Sequence, residues 1–297
     1  MIYDNRRTGL LYVAPFLVGL LVFTLYPFMA SLLLSFSDYQ LQDPLSAAHF
    51  NGGAHYANMV ADPVFQKSVG VTLLYVFITV PLKLAFALAI AFILNYKLAG
   101  IRWFRTAYYL PSILGGSVAI AVVWRYVFAG DGLLNQAFGV FGAEPVNWLG
   151  EPGYAMATIV LLRLWQFGSA MVIFLAGLKA IPQDLYEAAQ LDGASRWQQF
   201  RHVTLPLLTP VIFFNFIMQL IQAFQEFNGP YVITGGGPLK STYLLPMMIY
   251  EECFKYFDVG YASALSWTLF VMIGVLTAIA FRSSKYWVVY ANERGGK

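Results

Sequence analysis

The chain has 297 residues, of which 59% are hydrophobic and only 11% charged, and its mean hydropathy is +0.63. A soluble domain carries about 25% charged residues, so this composition excludes a water-soluble globular protein. The net charge of +3 is spread over several loops, which argues against a nucleic-acid-binding patch. The single cysteine cannot form an internal disulfide, and the three histidines lack metal-ligand spacing.

Six apolar runs follow along the chain, and each can cross a bilayer core of about 30 Å as a helix. The runs cover residues 9–36, 69–94, 107–128, 155–178, 207–227 and 262–281. The first run is too long for the apolar core of a signal peptide, so we expect a retained helix, kinked or softened at Pro15 and Pro27. Together the runs predict an all-α membrane protein with six transmembrane helices.

Lysine and arginine predict the orientation, because cytoplasmic loops carry more of both. With the N-terminus inside, the inner side holds Arg6, Arg7, Lys97, Arg102, Arg105, Lys179, Arg196, Arg201, Arg282, Lys285, Arg294 and Lys297. The outer side holds Lys67, Arg125, Lys240 and Lys255. We therefore expect both termini to be cytoplasmic.

The inner segment 180–206 predicts a helix with a defined end. Pro182 suits a first helical turn, and the residues from 183 to 191 can be helical. Ala188 and Ala189 give this helix a small face that permits close approach. Gly193 fits the left-handed residue that follows many helix ends.

Ser195 and Gln198 have the spacing of a capping box, which predicts a second short helix before Pro206 starts the next span. A DNA-reading helix-turn-helix is excluded, since both ends of the segment are tied into the bilayer. Two interpretations remain. The segment is either an amphipathic connector at the interface or a docking element for a cytoplasmic partner.

The same segment resembles the EAA loop of permease subunits in ATP-binding-cassette (ABC) importers, whose pattern is EAA, three residues, Gly, nine residues and I-x-L-P. Here the pattern is Glu187-Ala188-Ala189, then Gly193, then Val203-Thr204-Leu205-Pro206, with Val203 in place of the usual Ile. The run from Ile181 to Ser195 is similar to the carbohydrate branch. Further similar pieces are Tyr26-Pro27, Ser35-Phe36-Ser37-Asp38-Tyr39 and Gly235-Gly236-Gly237-Pro238.

The resemblance implies a permease core of the MetI-like kind, formed by helices two to six, with helix one outside it. It divides the chain into an N-terminal part at 1–66, a core at 67–285 and a short cytoplasmic tail at 286–297. It also implies that the first loop helix couples to an ATPase. Glu187 would meet a basic group, Ala188, Ala189 and Gly193 would allow close packing, and Asp192, Ser195 and Arg196 complete the coupling set.

The implied function is to form half of the pathway of a binding-protein-dependent sugar importer in a bacterial cytoplasmic (inner) membrane. The implied partners are a second permease subunit, two ATPase subunits and an extracytoplasmic solute-binding protein. ATP and Mg²⁺ would bind the ATPases, so we expect no cofactor on this chain and no catalysis by it. The short tail from Ala291 favours the maltose-F-like half. An ion-coupled secondary transporter is the alternative, although it leaves the EAA spacing unexplained.

The fifth span carries a polar stripe that is a candidate substrate path. Asn215, Gln219, Gln222 and Glu226 fall within about 60° of one another on a helix. Polar groups in a bilayer face the bundle interior or a water-filled path. Amides also bond neighbouring helices, so the stripe is either a substrate path or a set of interhelical hydrogen bonds. Further candidates are Arg163, Trp165, Gln166 and Tyr231, together with the aromatic Phe224 and Phe227.

Two intramembrane cations, Arg163 and Lys83, need partners. One interpretation is a salt bridge or a bond to backbone carbonyls. The other is that Arg163 meets an anionic substrate, such as a uronate or a phosphate.

Overall fold

The computed structural model describes residues 6–96 and 100–289. Lys97, Arg294, Lys297 and the tail from Ala291 therefore lie outside the described residues. The helices are α1 Arg6–Leu20, α2 Tyr26–Leu34, α3 Ala54–Ala61, α4 Pro63–Leu94, α5 Ile101–Leu114, α6 Val118–Val127, α7 Leu133–Val140, α8 Pro152–Trp165, α9 Gly168–Ala180, α10 Gln183–Leu191, α11 Arg196–Gln199, α12 Leu205–Phe224, α13 Asn228–Ile233, α14 Leu245–Phe254 and α15 Val259–Trp287. A short antiparallel pair joins β1 Ser37–Asp38 to β2 His49–Phe50, and a 3₁₀ turn covers Leu45–Ala47.

Four helical segments are long and apolar enough to cross a membrane: Leu11–Leu34, Pro63–Leu94, Arg196–Ile233 and Val259–Trp287. Two bent helix pairs raise the number to six if each pair is one span. Many large apolar side chains on these segments are exposed, as expected of a surface that contacts lipid. The predicted all-α membrane fold is confirmed.

The third and fourth apolar runs are not straight helices, which corrects the prediction of simple spans. Helices α5 and α6 meet at 103°, and α8 and α9 meet at 44°. At the first break, Gly115 and Gly116 disfavour a continuous helix, and the Ser117 hydroxyl accepts a hydrogen bond from the Ile120 N–H at 3.3 Å to begin α6. The sequence there therefore ends one helix and caps the next.

Two π-helical segments lie directly before X-Pro pairs. One covers Leu21–Leu25 and joins α1 to α2, and the other covers Phe200–Thr204 and joins α11 to α12. Pro27 and Pro206 follow within two residues, and proline has no N–H for the carbonyl four residues earlier. A wider turn lets the helix continue past that carbonyl. The first helix is thus softened beside Pro27, as expected, whereas α1 runs through Pro15 without a break.

The described residues form two compact units. One contains the residues up to Gln66 together with Met248–Phe270, and the other contains Lys67–Met247 together with the residues from Val271. The three-part division made from the sequence stays a prediction. The core of the larger unit joins α4, α9 and α12. Its buried members are Ala87, Ala91, Leu94, Phe167, Ala170, Met171, Phe174, Leu175, Leu178 and Leu208.

Candidate functional site

Helix α10 ends in a Schellman motif centred on Gly193. The Ala194 N–H donates to the Ala189 carbonyl at 2.9 Å, and the Gly193 N–H donates to the Gln190 carbonyl at 3.0 Å. Gly193 has φ +78°, the left-handed conformation that this motif requires at the residue after the helix. The predicted helix and its glycine end are confirmed.

The predicted capping box is also present. The Ser195 hydroxyl accepts a hydrogen bond from the Gln198 N–H at 3.4 Å, and the Gln198 side chain accepts one from the Ser195 N–H at 2.7 Å. The second helix is not separate, however, because α11 runs through the π-helical segment into α12. The candidate membrane span from Arg196 to Ile233 covers 38 residues and contains α11, the π segment, α12 and, after a break at 225–227, α13. Helix α12 begins at Leu205 with Pro206 in its first turn, as expected of the entry to the next span, but the π segment joins it to α11 without a break.

Side-chain bonds fix α10 against the start of that long helix. The hydroxyls of Tyr186 and Thr204 lie 2.9 Å apart, and the Gln199 amide donates to the Ala194 carbonyl at 2.9 Å. A hydrogen bond and a short, capped turn therefore join α10 to the long helix.

Most of the predicted coupling residues are exposed. Glu187, Ala188, Asp192, Gly193, Ser195 and Arg196 are all exposed, and Ala189 is half-buried. Helix α10 buries none of its residues, and Leu191, at its end, is 90% exposed. A short helix with a small, apolar and acidic exposed face is a surface that another protein can cover.

Arg196 differs from the other members of this set. It lines two cavities against α4, of about 490 and 280 Å³, which share Phe92, Tyr96 and Phe200. Asp192 and Gly193 instead line a separate cavity of about 260 Å³. Tyr186 of α10 also lines the smaller of the two Arg196 cavities, so both loop helices border the space beside α4.

The polar stripe of α12 is buried at its centre. Asn215 is 0% exposed and Gln219 is 4% exposed. Both amide atoms of Asn215, and Oε1 of Gln219, have no hydrogen-bond partner among the described residues. Buried polar atoms without partners are costly, so these amides are available to bond a group that enters the protein.

The structure brings three of the predicted path residues together around a fourth, Arg163. Its Nε lies 3.3 Å from Oε2 of Glu226, and both side chains are mostly buried, at 13% and 14% exposure. Nη1 donates to Oε1 of Gln166 at 3.1 Å, and Nη2 to Oε1 of Gln222 at 3.5 Å. Glu226 itself lies just after α12, where its Oε1 accepts a hydrogen bond from the Gly229 N–H at 3.2 Å. Arg163 is thus held in an internal ion pair.

Gln166 ties this cluster to the break between α5 and α6. Its amide Nε2 donates to the Gly115 carbonyl at 2.8 Å. A β-carbon added at Gly115 would lie 2.2 Å from Cγ of Gln166, so only glycine leaves room for this side chain. The Gln166 side chain therefore bonds both Arg163 and the backbone at the glycine break, and the absence of a side chain at Gly115 gives it room to do so.

A second polar face, on α4, was missed from the sequence. Ser68, Thr72, Tyr75, Thr79 and Lys83 are all at most 2% exposed. Their spacing of four, three, four and four residues places them on one side of a helix, which a search for polar residues at helical spacing would have found. The Thr72 hydroxyl accepts a hydrogen bond from the Leu245 N–H at 2.8 Å, whereas the hydroxyls of Tyr75 and Thr79 have no partner among the described residues other than each other.

The aromatic candidates lie in ring pairs. Trp165 packs against Trp124 with ring centroids 5.7 Å apart, and Tyr231 stacks on Phe227 at 4.9 Å. Phe224 is fully buried. Within 6–96 and 100–289, no group of three or more His, Cys, Asp or Glu side chains could hold a metal ion.

Comparisons with known proteins agree on one family. The family described as "binding-protein-dependent transport system inner membrane component" matches residues 72–288. A probable ABC transporter permease protein YesP from Bacillus subtilis is 45% identical over 98% of this chain and 95% of its own length. The lactose transport system permease protein LacF of Rhizobium radiobacter is 34% identical, covering 93% of this chain and 94% of its own. The trehalose/maltose transport system permease protein MalF of Thermococcus litoralis is 33% identical, covering 96% of each.

Among solved structures, a bacterial ABC transporter involved in the import of the acidic polysaccharide alginate contains a chain with the same fold. Its TM-score is 0.81 at 22% sequence identity, with 95% of this chain and 97% of that chain covered. An amino acid ABC transporter matches less closely, with a TM-score of 0.51. The resemblance drawn from the EAA pattern, and the fold it implied, are confirmed.

Proposed function

Because the chain belongs to the family of binding-protein-dependent transport system inner membrane components, we propose that it forms one half of the translocation pathway of an ABC importer for a sugar. A second, related permease subunit supplies the other half, and an extracytoplasmic solute-binding protein delivers the substrate. The relatives named for lactose and for trehalose and maltose support an oligosaccharide, since these sugars are disaccharides. The protein lies in a bacterial cytoplasmic (inner) membrane with both termini in the cytoplasm.

The exposed and rigid helix α10 is the observation that carries this proposal. It docks on one of two cytoplasmic ATPase subunits, which bind ATP and Mg²⁺, and this chain needs no cofactor of its own. The exposed Glu187 carboxylate pairs with a basic group of the ATPase. Ala188 and Ala189 let the two surfaces approach closely, and Leu191, at 90% exposure, supplies apolar contact.

Coupling follows from the connection between α10 and the long helix. When the ATPases close on ATP, they move α10. The Tyr186–Thr204 bond and the turn at Gly193 transmit that movement into the segment 196–233, which carries the polar stripe. This arrangement converts a cytoplasmic displacement into a change of access to the pathway.

The buried amides of Asn215 and Gln219 form the sugar path, together with Gln222 and Gln166. Amides suit sugar hydroxyls because they both donate and accept hydrogen bonds. The rings of Trp165 and Tyr231 offer surfaces for the apolar faces of sugar rings. The Arg163–Glu226 pair holds this path in place.

Purification of the tagged chain from its own membranes tests the proposal. We expect a second permease and an ATPase to copurify, and ATP hydrolysis to rise when an oligosaccharide-loaded binding protein is added. A chain that purifies without an ATPase, and transports sugar when only an ion gradient is supplied, would contradict it.

A further inference from the structure

Among the described residues of the larger unit, Lys83, Arg163 and Glu226 are mostly buried charged side chains within or next to the membrane spans. Lys83 on α4 is 2% exposed, and the side chains of Arg163 and Glu226 are 13% and 14% exposed. The other charged residues of the described spans in this unit lie toward helix ends, where long side chains reach the interface.

Arg163 and Glu226 neutralise each other. The guanidinium has the Glu226 carboxylate at 3.3 Å and the side-chain oxygens of Gln166 and Gln222 at 3.1 and 3.5 Å. Its charge is therefore already paired without a ligand, although its Nε makes no hydrogen bond among the described residues, so Arg163 is not the free cation that an anionic substrate would meet.

Lys83 lacks such a partner. Among the described residues, its ammonium has neither a hydrogen bond nor an ion pair, although it interacts electrostatically with Arg163 and with Glu226. Arg163 repels it, and the one carboxylate that attracts it is already paired with Arg163. A buried cation in this position is costly unless an anion joins it.

The groups around Lys83 suit a sugar. Thr79 and Tyr75 lie one and two turns away on the same face of α4, and their buried hydroxyls have no hydrogen-bond partner among the described residues other than each other. Tyr75 also interacts electrostatically with Arg163 and Glu226, so the α4 face and the arginine cluster belong to one region. Hydroxyl groups bond sugar hydroxyls, whereas an ammonium group bonds an acid group.

We propose that Lys83 binds the acid group of an anionic sugar during its passage, so that the substrate class of this importer is a sugar carrying a carboxylate or a phosphate. The inference rests on the proposed function and adds the charge of its substrate. Tyr75 and Thr79 bond the hydroxyl groups of the same sugar.

The test uses the purified importer in proteoliposomes with three labelled substrates: a uronic-acid trisaccharide, a disaccharide phosphate and a neutral trisaccharide. Three variants are compared with the unsubstituted protein. Lys83→Met removes the charge at similar length, Lys83→Arg keeps it, and Lys67→Met removes an exposed charge from the same helix as a matched control.

We expect uptake of one of the two anionic sugars, which also identifies the acid group. Lys83→Met should lower that uptake at least about tenfold, equivalent to about 1.4 kcal/mol, while Lys83→Arg and Lys67→Met retain it. Without sugar, Lys83→Met should also raise the melting temperature, because it removes an unpaired buried charge. This second readout does not depend on transport.

Uptake of the neutral sugar alone would overturn the anionic class and leave the proposed function intact. Anionic uptake that is unchanged in Lys83→Met, with an unchanged melting temperature, would overturn the role of Lys83. Uptake of none of the three sugars would overturn the proposed function and this inference with it.

Discussion

The Tyr186 hydroxyl lies 2.9 Å from Oγ1 of Thr204, so the exposed helix α10 is bonded to the start of the helix that carries the buried polar stripe. The two residues are 18 apart in sequence, and Thr204 is 2% exposed. This bond joins the surface proposed to meet an ATPase to the proposed sugar path.

Tyr186→Phe removes this bond and keeps the ring. A single hydrogen bond contributes about 1 kcal/mol, so we expect sugar-stimulated ATP hydrolysis to fall roughly fivefold while unstimulated hydrolysis persists. Thr204→Val should have the same effect, and the double variant should be no worse than either single one. Additive losses would mean that the two hydroxyls act separately.

Gly193→Val should disrupt the end of α10. The residue has φ +78°, and a left-handed conformation costs an ordinary L-residue about 1–2 kcal/mol. No atom lies within 4 Å of an added β-carbon, so backbone strain alone is tested. We expect less ATPase to copurify with Gly193→Val, whereas Gly193→Asn, which tolerates this conformation, should retain it. Equal losses in both variants would show that the backbone conformation is not the cause.

Glu226→Gln leaves the buried Arg163 without its carboxylate. Breaking such a pair costs about 3 kcal/mol or more, so we expect a clear fall in the melting temperature of the purified protein. The double variant Arg163→Met with Glu226→Leu removes both charges and should recover much of the loss. A single variant as stable as the unsubstituted protein would show that the ion pair does not stabilise the fold.

Gly115→Ala should displace Gln166. The added β-carbon would lie 2.2 Å from Cγ and 2.6 Å from Nε2 of that side chain, which also bonds Arg163. Overpacking of this kind costs about 1–3 kcal/mol, and we expect reduced sugar uptake as well as lower stability. Gly116→Ala is the matched control, since nothing lies within 4 Å of its β-carbon. Similar effects from the two substitutions would contradict this account.

Cys253 reports the orientation of the chain, because it is the single cysteine. The proposed topology places it on the outer side, so an impermeant maleimide should label it in intact spheroplasts. Burial raises the pKa of its thiol, which lowers the thiolate fraction at neutral pH. Labelling should therefore be slow at pH 7 and accelerate as the pH rises. Lys285→Cys in a Cys253→Ser background should react only after permeabilisation, and the reverse pattern would invert the topology.

Local signals in the sequence predicted the local structure well. The capping box of Ser195 and Gln198 and the left-handed Gly193 depend on neighbouring residues only, so their spacing is sufficient evidence. The π-helical turn from Phe200 to Thr204, which joins α11 to α12, was not predicted, because no residue pattern specifies its wider hydrogen bonding.

The arrangement of the polar interior could be predicted only in part. The stripe from Asn215 to Gln222 follows from helical spacing, and Arg163 was expected to need a partner. Its pairing with Glu226, 63 positions away, depends on how α8 and α12 pack, which spacing within one helix does not reveal. The polar residues of α4 from Ser68 to Lys83 also follow helical spacing, but the many apolar residues between them obscure the pattern in the sequence.

The energy source of transport tests the central claim most directly. Labelled oligosaccharide uptake should be measured in proteoliposomes that contain the purified complex and its binding protein, with ATP or with a proton or sodium gradient. The account predicts uptake that requires ATP and persists when both gradients are collapsed. Uptake that proceeds without ATP and stops when a gradient is collapsed would contradict it.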